Sequence, residues 1–288
     1  METLSGLVVA AAVTLTGATT RALQTHAGVC YNPWFHPLIT KEVLSIDMAL
    51  IAKYFQAVRT YSARWGEYCA VDIAAAASLR IAVGVNMDDR SRIQEEITAV
   101  CESYSRHPWA VEAVYVGNEN LKHGDFGRYS VGELARYIAQ VKQCVGNTPV
   151  GTSQRINEWL SAPGAKELAG ASDIIGFTVY PWFTPGHQPS LSKLNDQYNQ
   201  MVALYGPEKL HITETGYPHC GESAFGNVAS IQAMTDYFWG FYRDFIPGKN
   251  REYWFMMFDL PASNPGAGYE KCFGLFDTNR VQNILALP

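Results

Sequence analysis

From His26 onward, short apolar, β-branched runs alternate with longer stretches whose apolar residues recur at helical spacing. Eight runs of the first kind stand out: HAGVCYN (26–32), AVRTYS (57–62), RIAVGVNM (80–87), AVYVGNE (113–119), TPVGTSQ (148–154), IIGFTVYP (174–181), KLHITETG (209–216) and EYWFMMFD (252–259). Between them, residues 41–55, 91–105, 130–145 and 228–245 carry amphipathic patterns that predict helices. Ser130 and Glu133 have the spacing of a capping box, and Ser91 is the expected N-cap of the preceding helix. Eight β–α alternations predict a single (β/α)8 TIM barrel over residues 26–288, with a doubly wound sheet as the weaker alternative. Nothing in that span reads as a linker. So few residues follow the last strand that the final helix is expected to be short or missing.

The strand exits carry the candidate chemistry, because in such a barrel the C-terminal strand ends form the catalytic face. Glu214 falls where the run from Lys209 gives way to Thr215 and Gly216, and Glu119 ends AVYVGNE in the same way. A glutamate just past a strand is more often a solvated loop residue than a catalyst. These two differ in forming a pair, each following a strand with almost no other charge and each within two residues of a glycine. Two carboxylates meeting on one face are the minimal equipment for cleaving a glycosidic bond. The other exits read Tyr31, Asn32 and Trp34; Arg59 and Tyr61; Asn86; Asn118; Gln154; Tyr180, Trp182 and Phe183; and Phe258 with Asp259. This face holds no Ser-His-Asp set, no phosphate-cradling glycine loop and no cluster of histidines. His211, isolated within a strand, reads as a packed core residue.

Charge and composition narrow the partners. A net charge of −5 and a pI near 5.8 argue against nucleic acid or an anionic membrane. The 16 Tyr and 7 Trp serve core packing or supply the flat apolar faces that lie against sugar rings. Residues 4–18 form an uncharged, largely apolar run too short to span a bilayer, so residues 1–25 are expected to be a secretory signal and short leader. Glu2 and the lack of Lys or Arg before that run depart from the usual signal, and cleavage after Ala18 or Ala22 would fit equally well. Six cysteines without a C-x-x-C pair read as disulfides in an oxidising compartment. Six cysteines allow 15 connectivities, and the expected one, joining elements that a barrel should make near neighbours, is Cys30–Cys69, Cys101–Cys144 and Cys220–Cys272. No Asn-x-Ser/Thr sequon occurs.

GVCYN (28–32), VRTY (58–61), VGNE (116–119), VYPWF (179–183), ETGYP (214–218) and FMMFD…EKCFGLFD (255–277) together resemble the family-17 glycoside hydrolases, the β-1,3-glucanases and glucan transferases of plants and fungi. The resemblance covers essentially all of residues 27–280. It implies a retaining endo-β-1,3-glucanase working by double displacement, with Glu119 as acid/base and Glu214 as nucleophile. Arg59 would keep Glu214 anionic, that anion would raise the pKa of Glu119, and Asn118 would bind the sugar 2-hydroxyl. Tyr31, Arg59, Tyr61, Asn118, Tyr180, Trp182, Phe183, Phe258 and Glu270 are the expected substrate contacts. The implied partner is β-1,3-glucan, met as a secreted monomer outside the cell or in the wall, without metal, cofactor, nucleic acid or membrane insertion. A β-1,3-glucan transglucosylase and a non-catalytic carbohydrate-binding barrel are the alternatives. Leu260 stands where the family commonly has Glu, Thr178 where it often has Asn, and Tyr217 where Trp is usual, which bears on subsites rather than on the two glutamates.

Overall fold

The computed structural model describes residues 26–288, and the expected leader over 1–25 lies outside the described residues. Eight strands run parallel in chain order: β1 (His26–Cys30), β2 (Ala57–Arg59), β3 (Arg80–Val85), β4 (Val111–Asn118), β5 (Val150–Arg155), β6 (Ile174–Thr178), β7 (Leu210–Glu214) and β8 (Asn250–Trp254). Strand β8 pairs with β1, so seven of the eight seams are continuous ladders. The last seam, β7 to β8, closes through a parallel bridge between Thr215 and Trp254, with the Phe255 N–H donating to the Thr215 carbonyl at 2.7 Å. Gly216 permits that closure, since a Cβ there would meet the Phe255 carbonyl oxygen at 2.1 Å. The fold is the (β/α)8 barrel that the alternation predicts.

The outer layer is α1 (Lys41–Tyr54), α2 (Ala70–Ala76), α3 (Ile93–Arg106), α4 (Val131–Lys142), α5 (Ile156–Ser161), α6 (Ala165–Ala171), α7 (Ser190–Tyr205) and α8 (Ile231–Gly240), which runs on into a π-helical turn at Phe241–Phe245. Among the described residues no α-helix follows β8; a 3₁₀ turn at Gly268–Lys271 stands in its place. Ser130 and Glu133 form the expected capping box of α4. Ser91 does not cap α3: its N–H and hydroxyl both bind Asp89 Oδ1, and the cap position falls on Arg92. A side chain already committed to an Asx turn is unavailable to the helix.

Strand interiors are almost wholly buried, as in the five buried residues of β6 and of β7. Each large side chain removed from water there contributes about 1.5–3 kcal/mol, which is why the apolar runs are so regular in the sequence. His211 is 7% exposed and its Nδ1 lies 2.9 Å from the Asn250 carbonyl, so it is a packed core residue, its pKa depressed by burial to about 4.

Two of the three expected disulfides form. Cys101–Cys144 ties α3 to the end of α4 with Cα atoms 5.3 Å apart, and Cys220–Cys272 ties the loops after β7 and β8 at 5.5 Å. The Cys30–Cys69 pairing is corrected: both thiols are free. Cys30, the last residue of β1, sits inside the barrel and donates its S–H to the Thr213 carbonyl at 3.3 Å. Cys69 lies outside, at the end of a small hairpin (Arg64–Trp65 with Tyr68–Cys69) that leads into α2. No described helix is long and apolar enough to cross a membrane.

Candidate active site

The two glutamates arrive at the same face by different local routes. Glu214 is the last residue of β7, extended and 4% exposed. Glu119 follows β4 in the left-handed region, with φ of 48°, and its N–H is fixed to the Ser153 carbonyl at 2.9 Å. Gly117, also at positive φ, leads into that turn, where a Cβ would collide with the Asn120 side chain. A non-glycine residue held at positive φ is strain that the surroundings must maintain. Gln154 supplies part of that hold, its Oε1 accepting the N–H groups of Asn120 and Leu121 at 2.7 and 2.8 Å.

Arg59, at the end of β2, is the hub between them. It is 1% exposed, donates from Nη1 to Glu214 Oε1 at 2.6 Å and to the Thr213 carbonyl at 3.1 Å, and from Nη2 to Asn118 Oδ1 at 2.6 Å. The Tyr180 hydroxyl donates to the other Glu214 oxygen at 2.6 Å. Glu214 is therefore held at both oxygens, next to a buried cation that offsets its charge. Glu119 has no such cation in contact. Burial first, and then the charge of Glu214, push its pKa up to about 7, while a hydrogen bond from Thr178 Oγ1 at 2.5 Å works the other way. One carboxyl bonded to an arginine and a tyrosine beside one whose pKa is raised by burial makes the pair chemically asymmetric.

Both glutamates line a cavity of about 590 Å³ with Arg155, Thr178, Tyr180, Phe183, Phe255, Leu260, Glu270 and Phe273 among its walls. Glu119 also borders a second cavity of about 290 Å³ with Asn118 and Asp88, and Asp88 borders a third of about 630 Å³ that holds the exposed Trp34. Glu119 is shared by the first two and Asp88 by the last two, so the three cavities adjoin one another over the strand exits as one groove.

Expected site residues divide on this geometry. Arg59, Asn118, Tyr180, Phe183 and Glu270 are at the groove or bonded to the glutamates. Tyr61 is half-buried beneath the Arg59 guanidinium, 4.6 Å from ring centroid to Cζ, and supports that side chain. Three expected sugar contacts are corrected. Tyr31 is fully buried and its hydroxyl binds Asp47 at 2.8 Å; Trp182 is fully buried against Tyr217 and Tyr269; Phe258 is 1% exposed between Tyr31 and Phe35. Each comes just past a strand, where the alternation of sides decides whether a ring meets solvent or packs under the rim. Phe255 and Phe273, which wall the cavity, and Arg155 are not among the strand-exit positions named from the sequence, and Thr178 stands there only as a departure from the family pattern. Pairing β6 with β5 and β7 would have found it, since Thr178 lies in register with both Arg155 and Glu214.

A parallel eight-stranded barrel with two glutamates at the exits of β4 and β7 defines the chain as a TIM barrel with two carboxyls lining one cavity at its exit face. A family model described as the BtgE/BtgC glycoside hydrolase domain matches residues 28–274, and the chain belongs to that family. It is 26% identical over 208 residues to "Probable glucan endo-1,3-beta-glucosidase eglC" of Emericella nidulans, covering 65% of this chain and 44% of that protein. Against "Probable beta-glucosidase btgE" of Aspergillus clavatus it is 28% identical over 218 residues, 70% of this chain and 37% of that one. The chain thus spans less than half the length of these relatives. Among solved structures, a family-17 β-1,3-glucanosyltransferase of Rhizomucor miehei superposes with a TM-score of 0.75 at 24% identity over 91% of this chain and 97% of that one. An endo-laminarinase from Formosa gives 0.72 at 16% identity over 88% and 83%. At these identities the likeness speaks for the fold alone.

Proposed function

We propose that the chain is a family-17 glycoside hydrolase that cleaves β-1,3-glucan by a retaining double displacement. The observation that carries this is the asymmetric pair: Glu214 bonded to Arg59 and Tyr180, and a buried Glu119 whose pKa is raised to about 7. In the first half-reaction the Glu214 carboxylate attacks the anomeric carbon while the Glu119 proton passes to the departing glycosidic oxygen. In the second, Glu119, now a carboxylate, takes a proton from water as that water attacks the glucosyl-enzyme and Glu214 leaves. Asn118, oriented by Arg59, is placed to bind the sugar 2-hydroxyl next to Glu119. The cavities that adjoin the glutamates extend past Glu119 as far as Trp34, which supports cutting within a chain. Two disulfides and the apolar leader support secretion into the extracellular space or wall.

A β-1,3-glucan transglucosylase is the second reading. Phe183, Phe255, Phe273 and Leu260 give the catalytic cavity an apolar wall on which an acceptor sugar can displace water. A non-catalytic carbohydrate-binding barrel is disfavoured by the intact pair. A product profile on linear β-1,3-glucan separates the three. Early internal scission supports hydrolysis, products longer than the substrate support transfer, and binding without turnover supports the third. Equal or greater cleavage of cellulose would overturn the substrate class.

A further inference from the structure

In the proposed mechanism Glu119 is an acid in one half-reaction and a base in the other, so what surrounds its carboxyl decides how readily it changes state. Charged and titratable groups face it from many elements: Arg59 on β2, Arg155 on β5, Tyr180 beyond β6 and Glu214 on β7. Asp88, Asp125 and Arg128 line the smaller cavity with it, and Glu270 lines the larger one. Among the described residues, the side chain that hydrogen-bonds to the Glu119 carboxyl is Thr178, through Oγ1 to Oε1 at 2.5 Å. Thr178 is 3% exposed, and its place is set by the sheet. It sits opposite Arg155 on β5 and, after a register shift between Phe177 and Thr178, opposite Glu214 on β7. The shift carries its hydroxyl to the level of the two glutamates rather than one residue below.

We propose that Thr178 is a positioning residue for Glu119: the hydrogen it donates to Oε1 confines the transferable proton to Oε2 and stabilises the carboxylate once that proton has left. A carboxyl hydrogen-bonded at one oxygen has one orientation to offer the glycosidic oxygen. Donation to Oε1 is compatible with both states, because that oxygen accepts equally as the carbonyl of the acid and as half of the anion. The inference rests on the assignment of Glu119 as acid/base. It concerns a residue at which this chain departs from the Asn often found in the family it resembles.

The test is the pH profile of kcat/KM on a β-1,3-gluco-oligosaccharide, together with kcat. Thr178→Val keeps the shape and removes the donor, and Thr178→Ala removes it in a side chain too small to strain the site. Losing a donor that favours the anion raises the pKa of Glu119, so in both variants the alkaline limb should move up by about one pH unit. In both, kcat should fall about tenfold, since the acid is no longer held in line. Thr178→Ser should restore the limb to its original position. A limb that stays put in both donorless variants, or a serine variant that behaves like valine, overturns the proposal. Glu119→Gln, assayed on the same oligosaccharide, keeps the two failures apart. If its alkaline limb persists, the acid/base reading itself is wrong. If that limb disappears while Thr178→Val leaves its own unmoved, Thr178 alone is excluded.

Discussion

The two ends of the barrel each bury a carboxyl whose pKa is pushed up, yet they do different things with it. At the exit end, Glu119 is raised to about 7 by burial and by the charge of Glu214, and it borders two cavities. At the entry end, Glu252 is 1% exposed and raised to about 8 by burial alone, the Ile212 N–H and Lys249 acting against the shift. Its neighbour is His211, 3.8 Å away and itself pushed down by burial. The lesson is that a perturbed carboxyl marks a site only in company. Both border cavities, Glu252 one of about 510 Å³ with His211 and Lys249, but Glu119 shares its larger cavity with a second carboxylate bonded to Arg59 and Tyr180, whereas Glu252 meets a strand amide and a histidine.

That contrast can be broken by mutation. Glu214→Gln removes the nucleophile, so turnover of every glycoside, whatever its leaving group, should drop about a thousandfold or more. Glu119→Gln should cost about 10²–10⁴-fold on glucan and spare the first step on an activated aryl glucoside. Added azide, which needs no general base, should then release a β-glucosyl azide from that variant and none from the Glu214 variant. A reversed pattern would exchange the two roles. The entry-end Glu252→Gln should leave kcat/KM within about twofold of wild type, and a large loss would mean that the two ends are coupled.

Stability should distinguish the ends in a second way. Arg59→Ala leaves Glu214 buried without its cation, a loss of about 3–5 kcal/mol that thermal or urea unfolding would register. Glu252 acts through pH. Its folded pKa lies above the ordinary carboxyl value, so the folded state binds the extra proton between about pH 4.5 and about 8. Its contribution is therefore full below that window and lost as pH rises through it. Wild-type protein should lose more stability between pH 5 and pH 8 than Glu252→Gln does, and equal slopes would show that Glu252 is not the group responsible.

The smallest effect concerns the thiols. Denatured, unreduced protein should titrate two free thiols, with Cys69 reacting before the buried Cys30 in the native state, and a count of zero would restore the third disulfide.

Much of this was legible along the chain because it depends on local order. Eight short apolar runs, the spacing between them and the capping box at Ser130 each follow from period and propensity, which neighbours in sequence decide. Glu119 and Glu214 were legible for the same reason: a parallel barrel sends every strand end to one face, so position at a strand exit is already position at the site. Which side chains at those exits meet the groove was settled only in three dimensions. Tyr31, Trp182 and Phe258 turn into the rim, Cys30 turns into the barrel away from Cys69, and Ser91 is taken by Asp89. Thr178 reaches Glu119 because of a one-residue shift between β6 and β7. Such outcomes depend on register and on the twist that closes the sheet. These are long-range pairings, and no window of sequence contains both partners.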